Sequence, residues 1–274
     1  MTYSIVARDP ETGELGVAVQ SHYFTVGPIV PWLQAGVGAV ATQSFVEPAY
    51  GLRGLARMAG GAAAPDALAA LVADDDARDV RQVAMVDTAG RVGAHTGAKC
   101  IVDAGHRVGD GFSVQANMMR RPTVPDAMFE AYTSTAAPLA ERLVAALVAA
   151  EGEGGDIRGR QSAAIRIVRA ASGDDPWNDV VLDLRVDDHP DPVVELARLL
   201  DLHTLYFGQA DPADLLALEG ELADEVRERL AARGHTNEAG LDAALADWAG
   251  VENLEERVVA GRIDPLVLAH LRAL

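Results

Sequence analysis

From its second residue the chain alternates. Tyr3, Ile5 and Ala7 are interleaved with Thr2, Ser4 and Val6, the two-residue period that sends successive side chains to opposite faces of a strand. Asp9-Pro10-Glu11-Thr12-Gly13 supplies turn chemistry and Leu15-Gly-Val-Ala-Val-Gln20 reads as the returning strand, so the chain opens as a hairpin with its first residues built into a sheet. A helical or irregular stretch around 28–33 precedes Gly36-Val-Gly-Ala-Val-Ala-Thr-Gln43, whose small residues suit a strand packed closely under a second layer. Helical spacing predicts helices over about 49–60, 64–74, 124–133 and 137–150, and apolar alternation predicts strands at 81–87, 90–95, 111–117, 161–169 and 180–186. Glu151-Gly-Glu-Gly-Gly155 ends the fourth helix, while Asp191 and Pro192 form the N-cap and first turn of a helix to about Tyr206.

Strands that are not regularly alternated with helices argue for an α+β fold over a doubly wound parallel sheet. After Gly208 the pattern changes. Asp211-Pro212 reads as the cap of a charged helix to about Ala232, with shorter helices from Asn237, Leu254 and Asp264 and no convincing strand. Two domains are expected, residues 1–207 and a helical domain over 208–274, the latter small enough to gain from packing on a neighbour.

Composition narrows the partners. A formal charge of −18 repels nucleic acid and anionic membrane surfaces, both of which are bound through Lys and Arg. No segment reads as a secretory signal or a membrane span, so a cytoplasmic protein is expected. Cys100 is the single cysteine and Lys99 the single lysine; an intramolecular disulfide is therefore impossible. Gly105, Gly109 and Gly111 around His106 fit neither nucleotide fingerprint and read as a turn.

The chemistry begins at Thr2, directly behind Met1 and at the head of a strand. Removal of an initiator Met before a small residue leaves a free α-amine beside the threonine hydroxyl. An α-amine titrates near pH 8, so at neutral pH part of it is an uncharged base for its own nucleophile.

Four blocks carry a family resemblance: Ser4-Ile-Val-Ala-Arg-Asp9, Gly36-Val-Gly-Ala-Val-Ala-Thr-Gln43 with Tyr50-Gly51, Gly159-Arg-Gln-Ser-Ala-Ala164, and Asp183-Leu-Arg-Val-Asp-Asp-His-Pro-Asp191. Together they resemble the N-terminal-nucleophile (Ntn) hydrolase-like family catalogued as domain of unknown function 1028, across nearly all of residues 1–206. The resemblance implies a four-layer αββα sandwich. It also implies hydrolysis of a carbon–nitrogen bond in a small amide or ureide by Thr2, without a cofactor. A non-catalytic ligand-binding or scaffolding protein that keeps the fold is the alternative, and a homo-oligomer is expected. The tail, through Trp248, Asn253-Leu-Glu-Glu-Arg257 and Ile263-Asp264, resembles a module named for peptidoglycan binding; Trp248 could stack on a sugar, but core or interdomain packing is the favoured role.

In such sandwiches the reacting bond lies at the mouth of the sheets, where polar groups orient the amine and hold the developing oxyanion. Gln43 and Arg160 are the expected catalytic companions of Thr2. Ser4, Gln20, Ser21, His22, Ser44, Gln161 and Ser162, at strand ends, are expected around the substrate. Proteasome-type relatives place a lysine near the nucleophile, a departure here: Arg160 or Arg53 substitutes electrostatically, the amine is tuned otherwise, or the site is not proteasome-like. Asp187-Asp188-His189-Pro190-Asp191 holds metal-ligand types, yet helix capping and an ion pair with Arg185 explain it better, and no metal is expected.

Overall fold

The alternating opening becomes strand β1 (Thr2–Arg8), which turns into β2 (Leu15–Ser21); the computed structural model describes residues 2–174 and 176–274. The Asp9 carboxylate closes the turn by accepting the backbone N–H groups of Glu11 and Thr12 at 2.9 and 2.8 Å. Gly13 takes a φ of 74° there, a left-handed conformation that suits glycine. There follow β3 (Pro31–Gln34), β4 (Gly38–Ser44), α1 (Ala49–Ala59), α2 (Ala64–Ala73), β5 (Arg81–Asp87), β6 (Val92–Thr96), β7 (Gly105–Gly109) and β8 (Phe112–Asn117). The unit is completed by α3 (Val124–Ser134), α4 (Leu139–Gly152), β9 (Ser162–Val168), β10 (Val180–Val186) and α5 (Pro192–Phe207).

The architecture is α+β. One antiparallel sheet runs β10-β9-β2-β1-β8-β7 and another β3-β4-β5-β6. Their facing sides meet through β1 with β4 and β5, and through β5 with β8. The interior is Val6, Val17 and Val19 against Ala39, Ala41 and Ala84, where small side chains on the four-stranded sheet let the other sheet approach. Helices α1 and α2 pack on the four-stranded sheet, and α3 and α4 on the six-stranded one. Gly51 of α1 has to be glycine, because an added Cβ would stand 2.1 Å from Cγ of Trp32.

Two segments depart from the expectation. Residues 31–34 form an edge strand, β3; Pro31 is tolerated because an edge position needs no amide hydrogen on its free side. Residues 105–109 form β7 instead of a turn, since pairing with β8, Gly105 opposite Ala116 and Gly109 opposite Phe112, overrides weak local propensity.

Two compact units divide the chain at Arg198 and Leu199, inside α5 and ahead of the Gly208 break, because the last turns of α5 give Leu205 to the C-terminal core. In that unit Asp211-Pro212 opens a turn, and helix α6 starts only at Gly220 (Gly220–Ala232). Leu216–Ala217 (β11) pairs with Arg262–Ile263 (β12), a short ladder not expected from sequence. The helix expected from Leu254 is a single 3-10 turn, Glu255–Arg257, between α7 (Leu241–Glu252) and α8 (Pro265–Ala273). Trp248 is 1% exposed in this core and cannot stack on a sugar. The Arg257 guanidinium is buried, bonding Asp264 at 2.5 Å and the α5 carbonyls of Leu205 and Thr204.

Candidate functional site

Strand register places Asn117, Thr2, Ser21 and Ser162 directly opposite one another on four neighbouring strands. Directly opposed residues share a face, so four polar side chains form one row at the end of the six-stranded sheet, and all four are buried. Thr2 Oγ1 donates to Ser21 Oγ at 3.0 Å. Ser162 Oγ donates to the carbonyl of Tyr23 at 2.5 Å and accepts the Val26 N–H at 3.0 Å, fixing the loop after β2.

The other sheet closes over this row. Gln43, at the end of β4, sends Nε2 to the Thr2 carbonyl at 3.2 Å and to Gln82 Oε1 at 2.7 Å, while its Oε1 accepts from Ser4 Oγ at 2.7 Å. Asn117 Nδ2 reaches the same Thr2 carbonyl at 3.3 Å and Gln82 Oε1 at 2.8 Å. Gln115 Nε2 donates to Ser4 Oγ at 2.6 Å. Gln82 continues outward through Thr96 Oγ1, 3.0 Å away, which stands 2.8 Å from Nδ1 of the exposed His106. Burial and the nearby His95 hold the His106 imidazole below its ordinary value.

Thr2, Ser4, Ser21, Gln43, Gln82, Gln115 and Asn117, the buried side chains of this network, are all neutral amides or hydroxyls. Buried amides of this kind are stable only when partnered, and the network leaves Asn117 Oδ1 buried without a partner. The surrounding backbone is strained. Among the described residues five non-glycines have left-handed φ, and Thr25, Ser44, Asp103 and Met118 are four of them. Ser44 follows Gln43, Met118 follows Asn117, Asp103 accepts the Met119 N–H and Thr25 lies in the loop after Ser21. Such strain is tolerated where the surrounding structure fixes it, commonly at functional sites.

The expected companions divide between the two faces of the six-stranded sheet. Thr2, Ser4, Ser21, Gln43 and Ser162 come together between the sheets. Arg160 does not join them. Its guanidinium binds Glu151 and Asp191, and Glu151 also accepts from Tyr3 OH; Tyr3 points opposite to Thr2 across the pleat of β1, so the charged group lies on the helix side. Glu151 beside it raises the Arg160 guanidinium further, and burial with Glu151 beside it keeps the Tyr3 hydroxyl neutral. Gln20, opposite Tyr3, shares that helix-facing side, and both of its buried amide atoms lack a partner.

His22 stays at the rim, its backbone N–H on Asp156 and its Nδ1 3.3 Å from the Arg160 carbonyl. Gln161 Nε2 bonds Asp188 at 3.1 Å. Ser44 is half-buried at the strained corner after Gln43. Lys99 pairs with Asp79, while Arg53 lines a cavity of about 210 Å³ with Glu47, Tyr50, Asp74 and Asp75. Neither hydrogen-bonds the Thr2 network. In the 187–191 run, Asp187 accepts from Thr25, Asp188 from Gln161, His189 from the Asp191 N–H, and Asp191 from Arg160. Arg185 pairs with Asp183 at 2.8 Å instead of joining that run. No group of three metal-ligating side chains is gathered among the described residues.

Gln82, Gln115 and Asn117 were not expected at the site. In β8, Ser113, Gln115 and Asn117 alternate with Phe112, Val114 and Ala116, which reads as a solvent-facing polar side; here both faces of the strand are buried.

Residues 2–196 match the model of a family of unknown function, DUF1028, and residues 206–271 match the model described as "Putative peptidoglycan binding domain". No curated protein matches the chain. The crystal structure of a DUF1028 protein from Silicibacter pomeroyi is similar to it at 29% identity with a TM-score of 0.66, covering 82% of this chain and 92% of that one. No helix of the described residues is long and apolar enough to cross a membrane.

Proposed function

This chain belongs to the DUF1028 family of unknown function, and from the surroundings of Thr2 we propose that it hydrolyses a carbon–nitrogen bond of a small amide or ureide with Thr2 as an N-terminal nucleophile. The reading takes the two packed sheets and their outer helices as an αββα sandwich of the Ntn type. The observation that carries it is the placement of Thr2. Its hydroxyl heads a central strand between the sheets, hydrogen-bonded to Ser21, while Gln43 and Asn117 clamp its carbonyl from two directions. A clamped main chain fixes where the α-amine and Oγ1 stand, the orientation such a nucleophile requires.

With Met1 removed, the α-amine accepts the Oγ1 proton as Oγ1 bonds to the substrate carbonyl carbon. Collapse of the tetrahedral species breaks the carbon–nitrogen bond and returns that proton to the departing amine. Water then hydrolyses the ester on Thr2, with the α-amine again acting as base. Among the described residues no carboxylate is hydrogen-bonded to Thr2, which favours the uncharged amine.

The same neutrality supports the second reading, a ligand-binding protein without turnover, since among the described residues no cation is hydrogen-bonded to Thr2, Gln43 or Asn117 to stabilise an oxyanion. Intact-mass measurement separates the two first: Met1 retained on the folded protein removes the base and sinks the mechanism. With Met1 absent, turnover of an amide or ureide panel by the wild type and its loss in Thr2→Ala is the expected result.

A further inference from the structure

The strand ends that hold the Thr2 network also carry an apolar rim. Tyr23 and Phe24 follow β2, and Phe45 follows β4. The segment of Ile101 and Val102 is tied to the end of β8 by the Met118 N–H, which donates to the Ile101 carbonyl at 3.2 Å. All five are exposed, Phe24 at 60% and Val102 at 80%. Scattered exposed apolar residues are ordinary. Five of them on three loops that share one mouth, three being aromatic, form the kind of patch that marks a binding surface.

The charges beside this rim are already engaged or acidic. Arg81, whose NH1 donates to the Phe45 carbonyl, is held by Asp75 at 2.9 Å, and Arg158 by Asp156 at 2.8 Å. Glu47 and Asp103 lie in the rim loops, and Asp187 accepts from Thr25 beside Phe24. Arg81 and Arg158 are thus already engaged with carboxylates. Deeper in, the shell is neutral, and a ligand charge of either sign entering it would lose water without gaining a counter-ion. What the shell does offer is one buried acceptor without a donor, Asn117 Oδ1, whose Nδ2 is already bonded to Thr2 and Gln82. Wherever a buried acceptor is left unmet, an N–H from a ligand is the natural complement.

We infer that the Thr2 site takes a neutral amide bearing an apolar substituent, its N–H donated to Asn117 Oδ1 and its apolar group laid on Tyr23, Phe24, Phe45, Ile101 and Val102. This deepens the reading of Thr2 as the reacting residue and shares its location.

The test is binding of hexanamide, acetamide, succinamate and glycinamide to the full chain, followed by saturation-transfer NMR titration, with wild type, Thr2→Ala and Phe45→Ser. Hexanamide is expected to bind about tenfold more tightly than acetamide, the increment its additional methylenes supply when partly covered, and the charged probes more weakly than hexanamide. Phe45→Ser, on an exposed loop, is expected to weaken hexanamide about fivefold. Binding retained in Thr2→Ala, with no turnover of any probe by wild type, would leave this inference standing and remove the nucleophile. Succinamate or glycinamide binding as tightly as hexanamide would overturn the inference, as would no binding by any probe or indifference of hexanamide to Phe45→Ser. Sedimentation supplies the remaining outcome: if Phe45→Ser dissociates a dimer without changing amide binding, the rim is a contact between copies and the inference falls.

Discussion

Strand β1 has two buried faces that solve the same problem differently. Towards the other sheet, Thr2 and Ser4 meet amides and hydroxyls, and Gln43, Gln82, Gln115 and Asn117 partner one another. Towards the helices, Tyr3 meets Glu151, which also holds Arg160, and Asp9 in the following turn meets Arg142 of α4. The difference follows solvent. Arg160 keeps 44% of its side chain exposed and Arg142 keeps 18%, so the charges at the helix side retain some hydration. Between the sheets Thr2 keeps 4% of its surface exposed and Ser4 none, and there an ion would cost more than its partner could return. Neutral amides with both ends bonded are the affordable polar content of such a space, and they also set the position of the Thr2 main chain.

The largest test breaks the inter-sheet network at its centre. Gln82→Leu is near in volume but removes the acceptor of Gln43 and Asn117 and the donor to Thr96 and the Ala116 carbonyl. Loss of about 3 kcal/mol is expected, since several buried groups lose partners together, and chemical denaturation monitored by far-UV signal measures it. A loss no greater than that of an exposed substitution would show that these amides are mutually redundant.

On the helix side the corresponding break is Arg142→Met, which removes the ion pair to Asp9 at 3.1 Å and the guanidinium 4.3 Å from the centre of the Tyr132 ring. About 2 kcal/mol is expected at neutral pH, less than for a fully buried pair because Arg142 keeps some solvent. This effect titrates, unlike the first. Burial alone would raise the Asp9 carboxyl, but the Thr12 and Glu11 N–H groups and Arg142 outweigh it and hold it below its ordinary 3.8. The stabilisation is then present in full above 3.8 and lost as pH falls through the lower folded value. The difference between wild type and Arg142→Met between pH 7 and 2.5 should narrow towards the acid end, where the guanidinium contact with the Tyr132 ring remains, whereas the Gln82→Leu difference stays parallel.

The opening hairpin was legible because turn residues and alternation agree at residues 2–20, and the small-residue strand ending in Gln43 because glycine and alanine leave little else to pack. Membership of the site was legible only for residues at strand ends, which sequence can locate. Which face a side chain takes depends on register, and Arg160 shows the consequence: one residue after Gly159 and two before Ser162, it sits at the right end of the sheet and the wrong side. Pro31–Gln34 and Gly105–Gly109 were missed because edge pairing with a distant strand carries no local signature. The β11–β12 ladder was missed for the same reason.

Tyr3→Phe sharpens the comparison with a smaller change. It deletes the hydroxyl that donates to Glu151 and leaves Glu151 bound to Arg160, so no ion is stranded. A loss of about 1 kcal/mol is expected, the value of a hydrogen bond to a charged group when its acceptor stays partnered. Arg160→Met in the Tyr3→Phe background, compared with Arg160→Met alone, completes a double-mutant cycle; a coupling of zero would mean that Tyr3 and Arg160 do not act through the same carboxylate.

The smallest effect expected has the opposite sign. Gln20 lies across from Tyr3 on the helix-facing side, fully buried, and neither atom of its amide has a partner. Gln43, of identical chemistry, bonds through both ends between the sheets. If partners and not residue type decide the contribution of a buried amide, replacing each by an apolar residue of similar length must give opposite outcomes. Gln43→Met takes away the acceptor of the Ser4 hydroxyl and one of the two donors to the Thr2 carbonyl, and destabilises. Gln20→Met removes two desolvated polar atoms that bond nothing and is expected to stabilise by about 0.5–1 kcal/mol, because the methionine fills the same space without the desolvation penalty. Thermal and denaturant midpoints of the two variants measure the pair. A destabilised Gln20→Met would mean that its amide is satisfied in solution, by water or by a ligand on the Tyr3 side, and that the two faces of the sheet are less different than their protein contacts make them.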